Sequence, residues 1–355
     1  MHARERRLAT RDDDARSVHP FEWGASFVND AFPKTQDTHT ASPATFFDLH
    51  ATHAVGHSDE YFRLPPVNDY KLDAHHRLTW TSAIATSSIA NNMAHAQFFP
   101  PTPQMRRTLS RARISGSRHV TRRAVVLLPQ WNAQPDSHIA LSRLLARFNI
   151  AALRLTLPYH EGRRPPELTR ADHLVSSGIG RTLQSIRQAV LDARAAVAWL
   201  AAEGYERIGI IGTSIGSCVA FLAFVHEPRI NVAVFNHVSG YFADVVWNGI
   251  STRHVRESIE PHLTLEDLRR YWLPISPLAY IERLSLLPPR PMRFIAARYD
   301  LTFPIDLSRD VIREIRRRDI PLDVAWLPCG HYTLGETPWK YLDGYKIVSF
   351  FRREL

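Results

Sequence analysis

The sequence predicts an α/β protein with a mostly parallel central sheet covered by helices on both faces. Three observations carry this. Short, wholly apolar runs such as Ala124 to Pro129 ("AVVLLP") read as strands buried on both faces. Between them lie segments whose apolar residues recur every three or four positions, the period of a helix. One junction, "RIGIIGTSIGSCVAFLAF" from Arg207 to Phe224, turns from strand to helix about a serine with a glycine two places to either side.

Taken in order, residues 1 to 75 are polar, rich in His, Asp, Thr and Pro, and show no sustained period. They predict a partly irregular N-terminal extension ahead of a domain over 76–355. From His76 to Phe99, β-branched and aromatic residues in rough alternation predict two strands at a sheet edge. Pro100, Pro101 and Pro103 break the pattern, and a basic connector follows. After the strand at 124–129 comes a helix through Ile139, Leu144 and Leu145, then a strand from Ile150 to Pro158. Leu183, Ile186, Val190, Ala193, Val197 and Leu200 mark one face of a long amphipathic helix, which Gly204 closes. Beyond the serine junction, strands are expected at Asn231 to His237, Met292 to Asp300 and Leu322 to Pro328, with helices at Ile305 to Arg318 and Trp339 to Arg353. Ser239 to about Arg290 breaks the alternation. That insertion carries Tyr241, Phe242, Trp247, Tyr271, Trp272 and Tyr280 and predicts a helical lid.

Composition narrows the classes. The chain has 355 residues, 45% of them apolar, a net charge of +9 and a sequence pI near 9.8. Its basic residues are almost all arginine, the lysines being Lys34, Lys71, Lys340 and Lys346, a bias that a GC-rich coding sequence produces. The densest basic stretch, Arg106 to Arg123, has no interleaved aromatics to stack on bases, so no nucleic-acid partner is expected. No apolar run approaches the roughly 18 to 20 residues that span a bilayer, and the first twenty residues lack the apolar core of a secretory signal. The expectation is a cytoplasmic protein without stable membrane insertion. Two cysteines, Cys218 and Cys329, make no disulfide framework, and no Cys/His cluster has zinc spacing, so neither a structural metal nor a cofactor is expected.

The chemistry points to Ser214. A serine at the carboxyl end of a buried strand and the start of a helix stands where open parallel sheets bind ligands. Gly212 and Gly216 allow the turn to be tight, and the helix N-terminus favours the negative charge that develops in acyl transfer. The alternative is a glycine turn needed only for close packing. A phosphate loop fails on residue types, since no lysine follows. A serine nucleophile needs a base, and the base an orienting acid. "LPCGHYTLGETP" puts His331 just past the last strand, and "ARYDLTFP" puts Asp300 at the end of the strand before it. Asp244, in the insertion, is the second candidate acid.

Serine, acid and histidine after successive strands, with "GTSIG", "YDLTFP" and "CGH", resemble the α/β-hydrolase superfamily over roughly Arg122 to Leu355. The resemblance implies a Ser214, Asp300 and His331 triad. It also implies an oxyanion hole from Ile215 and from Gln130 or Trp131, which stand where the family often carries His-Gly. The segment Leu157 to Glu167 brings His160, Glu161, Arg163 and Arg164 towards the same rim, either shaping the loop or touching substrate. In the insertion, Arg253, His254 and Arg256 are candidates for an anionic substrate group. The activity implied is that of a serine esterase or acyl hydrolase on a small-molecule ester or acyl substrate. An acyltransferase or a non-catalytic ligand-binding member of the fold are the alternatives.

Overall fold

The computed structural model describes residues 1–11, 16–29, 42–102 and 121–355. Most of the basic stretch between 106 and 123 therefore lies outside the described residues. The described chain begins with α1 (His2–Ala9), α2 (Pro43–Gly56) and α3 (Ser58–Tyr61), then strands β1 (Lys71–Leu72), β2 (Arg77–Thr81) and β3 (Met93–Phe99). The alternation follows as β4 (Arg123–Leu128), α4 (Ile139–Arg147), β5 (Ala151–Thr156), α5 (Ile179–Ala202), β6 (Arg207–Thr213), α6 (Ile215–His226) and β7 (Ile230–Asn236). The insertion holds α7 (Phe242–Asn248), α8 (Arg253–Ile259), α9 (Leu265–Tyr271) and α10 (Ile281–Leu286). The chain returns through β8 (Met292–Ala297), α11 (Ile305–Arg316), β9 (Asp323–Leu327) and α12 (Trp339–Glu354).

Among the described residues the strands form one sheet in the order β1-β2-β3-β5-β4-β6-β7-β8-β9. The pairs β1–β2, β2–β3 and β3–β5 are antiparallel, and every pair from β5 to β9 is parallel. The wholly apolar runs became the inner strands because both faces are covered. One face is packed by α5, α6 and α11, through Leu183, Ile186, Phe221, Phe224, Val311 and Ile315. The other is packed by α4 and α12, through Leu145, Ile347, Val348 and Phe351. Helix α6 is buried along its whole length, which explains why it is apolar on every side.

The described part of the N-terminal segment packs on the domain. Helix α2 starts at Ser42, whose side chain accepts from the Thr45 N–H at 3.2 Å, with Pro43 in the first turn where its missing N–H costs nothing. Its Phe46 and Phe47, with Phe62, belong to the same core as α5 and α6. The backbone carbonyls of Glu22 and Trp23 accept from Ile179 and Gly180 at 2.9 Å each, satisfying N–H groups that the start of α5 leaves free. Cys218 and Cys329 are free and buried on opposite faces of the sheet, so they do not approach one another. No helix among the described residues is long and apolar enough to cross a membrane.

Candidate active site

The sheet order reverses between β4 and β6, since β5 lies beyond one of them and β7 beyond the other. A crevice opens at such a switch point. Ser214 stands in it, at φ +57° and ψ −124°, a conformation a side-chain-bearing residue adopts only under constraint. Its N–H donates to the Asn236 carbonyl of β7 at 2.8 Å, pinning the turn to the sheet. A Cβ on Gly212 would lie 1.9 Å from the Gly216 carbonyl oxygen, and one on Gly216 would lie 2.3 Å from that of Leu128. The two glycines therefore let the strand, the helix and the end of β4 close up around the serine. Ser214 Oγ makes no hydrogen bond among the described residues and borders a cavity of about 1170 Å³.

His331 and Asp300 meet at the ends of β9 and β8. His331 Nδ1 lies 3.1 Å from Asp300 Oδ2 in a hydrogen bond, and the ring stacks on Phe303 with centroids 5.6 Å apart. Asp300 Oδ1 accepts from the Thr302 and Phe303 N–H groups at 2.7 Å each. Burial alone would push this carboxyl up, but the two imidazoles beside it, His331 and His237, hold it well below the usual range. His331 borders the same cavity as Ser214, and no hydrogen bond joins the two among the described residues.

His237, at φ +62° just past β7, went unrecognised as a site residue although the predicted strand ended on it. Its Nδ1 lies 2.7 Å from Asp300 Oδ2, off the direction of a well-aligned hydrogen bond, and its ring is 4.6 Å from that of His331. Burial lowers its pKa, with Asp300 acting in the opposite sense. Among the described residues, His237, Asp300 and His331 are the group whose potential metal-ligating atoms all lie within 4.8 Å of one another. Glu5 is a second unforeseen member. This buried side chain of α1 accepts from the N–H groups of Tyr332 at 3.0 Å and Thr333 at 2.7 Å, directly after His331. Gly330 leaves room for it, since a Cβ there would lie 2.2 Å from Glu5 Cδ.

The other predicted positions divide. Gln130, Trp131 and Ile215 all border the cavity. The Ile215 N–H opens α6 without an intrahelical acceptor. The indole of Trp131 donates to the Ala171 carbonyl at 2.9 Å and stacks on His254, which burial lowers to about 4. Asp244 is held by Arg269 at 2.7 Å on the insertion, not by His331. The rim segment shapes its loop. Arg163 is fully buried, bonded to Asp192 at 2.8 Å and to the Thr156 and Asn91 carbonyls. His160 Nε2 accepts from the Asn132 N–H at 2.8 Å, and Glu161 holds Arg154 at 2.7 Å. Tyr241, Phe242, Val245 and Val246 of the insertion also line the cavity.

No family model and no curated protein sequence matches the chain. Solved structures do. An acylaminoacyl peptidase of Pyrococcus horikoshii superposes with a TM-score of 0.55 at 13% identity, covering 82% of this chain and 42% of the peptidase. A puromycin-hydrolyzing peptidase of Mycobacterium tuberculosis gives 0.54 at 13%, covering 80% and 45%. A Pyrococcus furiosus esterase gives 0.51 at 15%, covering 81% and 93%. The chain has the α/β-hydrolase fold. It spans less than half the length of the two peptidases and nearly all of the esterase. In this fold Ser214, Asp300 and His331 follow the ends of β6, β8 and β9.

Proposed function

We propose that this protein is a serine hydrolase that cleaves a carboxylic ester or related acyl bond through an acyl-enzyme on Ser214. The observation that supports this most is the strained turn that presents an unbonded Ser214 Oγ to a cavity shared with a histidine whose far nitrogen is held by a buried carboxylate. A turn built for packing alone gains nothing from that conformation.

In the proposed reaction Ser214 Oγ forms a bond to the carbonyl carbon while its proton passes to His331 Nε2. The carbonyl oxygen becomes an oxyanion, stabilised by the Ile215 N–H at the start of α6 and a backbone N–H of the Gln130–Trp131 segment. As the tetrahedral species collapses, the bond to the leaving group breaks and His331 returns the proton to it. Water then repeats the cycle on the acyl-enzyme. Asp300 fixes the tautomer with the proton on Nδ1 and stabilises the imidazolium. Glu5 acts through the loop, by holding the two N–H groups that follow His331.

The test is hydrolysis of a panel of p-nitrophenyl esters by the parent and by Ser214→Ala. Turnover of short esters should vanish in Ser214→Ala while its melting temperature stays within a degree or two of the parent, because a small hydroxyl contributes little packing. Turnover that survives the substitution overturns the assignment.

A further inference from the structure

The cavity that holds Ser214 does not end beneath the insertion. It continues past Thr213 and Asp343 into a slot between α4 and α12, on the opposite face of the sheet from α5 and α6. One wall is Leu141, Leu144 and Phe148 of α4, and the other is Gly344, Ile347 and Val348 of α12. The slot is open space rather than a tight seam, since a Cβ built on Gly344 meets nothing within 4 Å. At the far end Arg352 lies over the Phe148 ring at 4.3 Å, and Arg143 and Arg147 line the rim.

We propose that this slot is a binding subsite for an unbranched hydrocarbon chain of the substrate, with the scissile carbonyl at Ser214. The inference rests on the hydrolase reading above and adds the substrate class to it. From Gly344 to Arg352 the slot follows α12 for about 12 Å, room for a chain of about ten carbons. Its inner walls are mainly aliphatic and aromatic, Lys340, Tyr341 and Ser349 also line the cavity, and it is continuous with the nucleophile. The Asp343 carboxyl at its inner end is turned to Asn236, which donates to both oxygens at 3.1 and 3.0 Å. The carboxyl is thereby engaged by the sheet, and the Thr213 hydroxyl pairs with His138 Nε2 at 3.0 Å, leaving the chain to contact the apolar walls. The second arm, walled by Tyr241, Phe242 and Pro277, is left for the other half of the ester.

The test uses two ester series, one lengthening the acyl chain from acetyl to dodecanoyl and one lengthening the alkyl alcohol on a constant acetyl group. The parent should gain kcat/KM with length in one series up to about ten carbons. Gly344→Phe places a ring in the slot, and its Cβ meets nothing within 4 Å. Because each buried methylene is worth about fourfold, excluding even three of them should cost at least about sixtyfold on the decyl-length substrate, with acetate turnover within about twofold of the parent. The series that loses its length dependence tells whether the acyl or the alcohol chain occupies the slot. Leu144→Trp, from the facing wall, should reproduce the effect and serves if Gly344→Phe melts early. Intact acetate turnover with an unchanged length profile in both variants overturns the slot assignment alone. Acetate turnover that survives Ser214→Ala overturns the hydrolase reading instead.

Discussion

Replacing Asp343 by Asn should make the protein more stable, and increasingly so as the pH rises. Burial pushes the Asp343 carboxyl from an ordinary 3.8 up to about 7, with the Asn236 amide pulling the other way. Between these values the folded protein keeps a proton that the unfolded chain has released. The unfolded state then binds fewer protons, so stability falls as pH rises through this window and levels off above about 7. The gap of about three pH units corresponds to about 4 kcal/mol above pH 7, an upper limit because the residue is only half-buried. Asn keeps the size and one oxygen for Asn236 while removing the ionisation. Urea unfolding of parent and Asp343→Asn at about pH 4.5 and pH 8 measures the effect. The advantage of the variant should grow by about 2 to 3 kcal/mol between the two. A difference that is the same at both pH values refutes the argument that this carboxyl is held neutral by its site.

Other outcomes follow from the same geometry. Asp300→Asn preserves shape but favours the wrong imidazole tautomer, a change that costs about 10⁴ in turnover in a serine protease. Asp244→Asn, which breaks an ion pair with Arg269, should cost about tenfold or less, and steady-state kinetics on one ester ranks the two. Gly216→Ala should cost about 3 kcal/mol or more, since its Cβ would meet backbone, whereas Gly344→Ala should stabilise by up to about 1 kcal/mol, as thermal melts will show. Glu5→Ala strands one buried and one half-buried N–H group beside His331, so kcat should fall by at least about tenfold with KM little changed, and Glu5→Gln should recover part of it.

The sheet was legible because its inner strands are apolar on both faces and end at turns, which is why Ser214, Asp300 and His331 could each be placed at a strand end from sequence. The antiparallel pair β2–β3 was legible from its alternation, but the edge strand itself, β1, fell within the stretch expected to be irregular. Helix α2 was not, although Ser42-Pro43 is a recognisable helix start, because its buried side chains Phe46, Phe47, His50, Ala51 and Ala54 lie in a mixed polar stretch. The insertion was marked by aromatics, but α7, α8 and α9 have seven residues each, too few for a period to show. His237 and Glu5 had no signature of their own. One is a single residue past a strand, and the other reaches its partners across more than 300 residues of chain. The slot between α4 and α12 depends on how far apart two helices stand, and side-chain pattern does not encode that distance.

The most direct measurement is covalent labelling with a fluorophosphonate probe followed by peptide mass mapping. One adduct should form on the peptide carrying Ser214, disappear in Ser214→Ala and form far more slowly in His331→Ala, because the proton acceptor is gone. Labelling of the folded protein at another residue, or no labelling at all, would contradict the claim that the strained turn presents an activated serine.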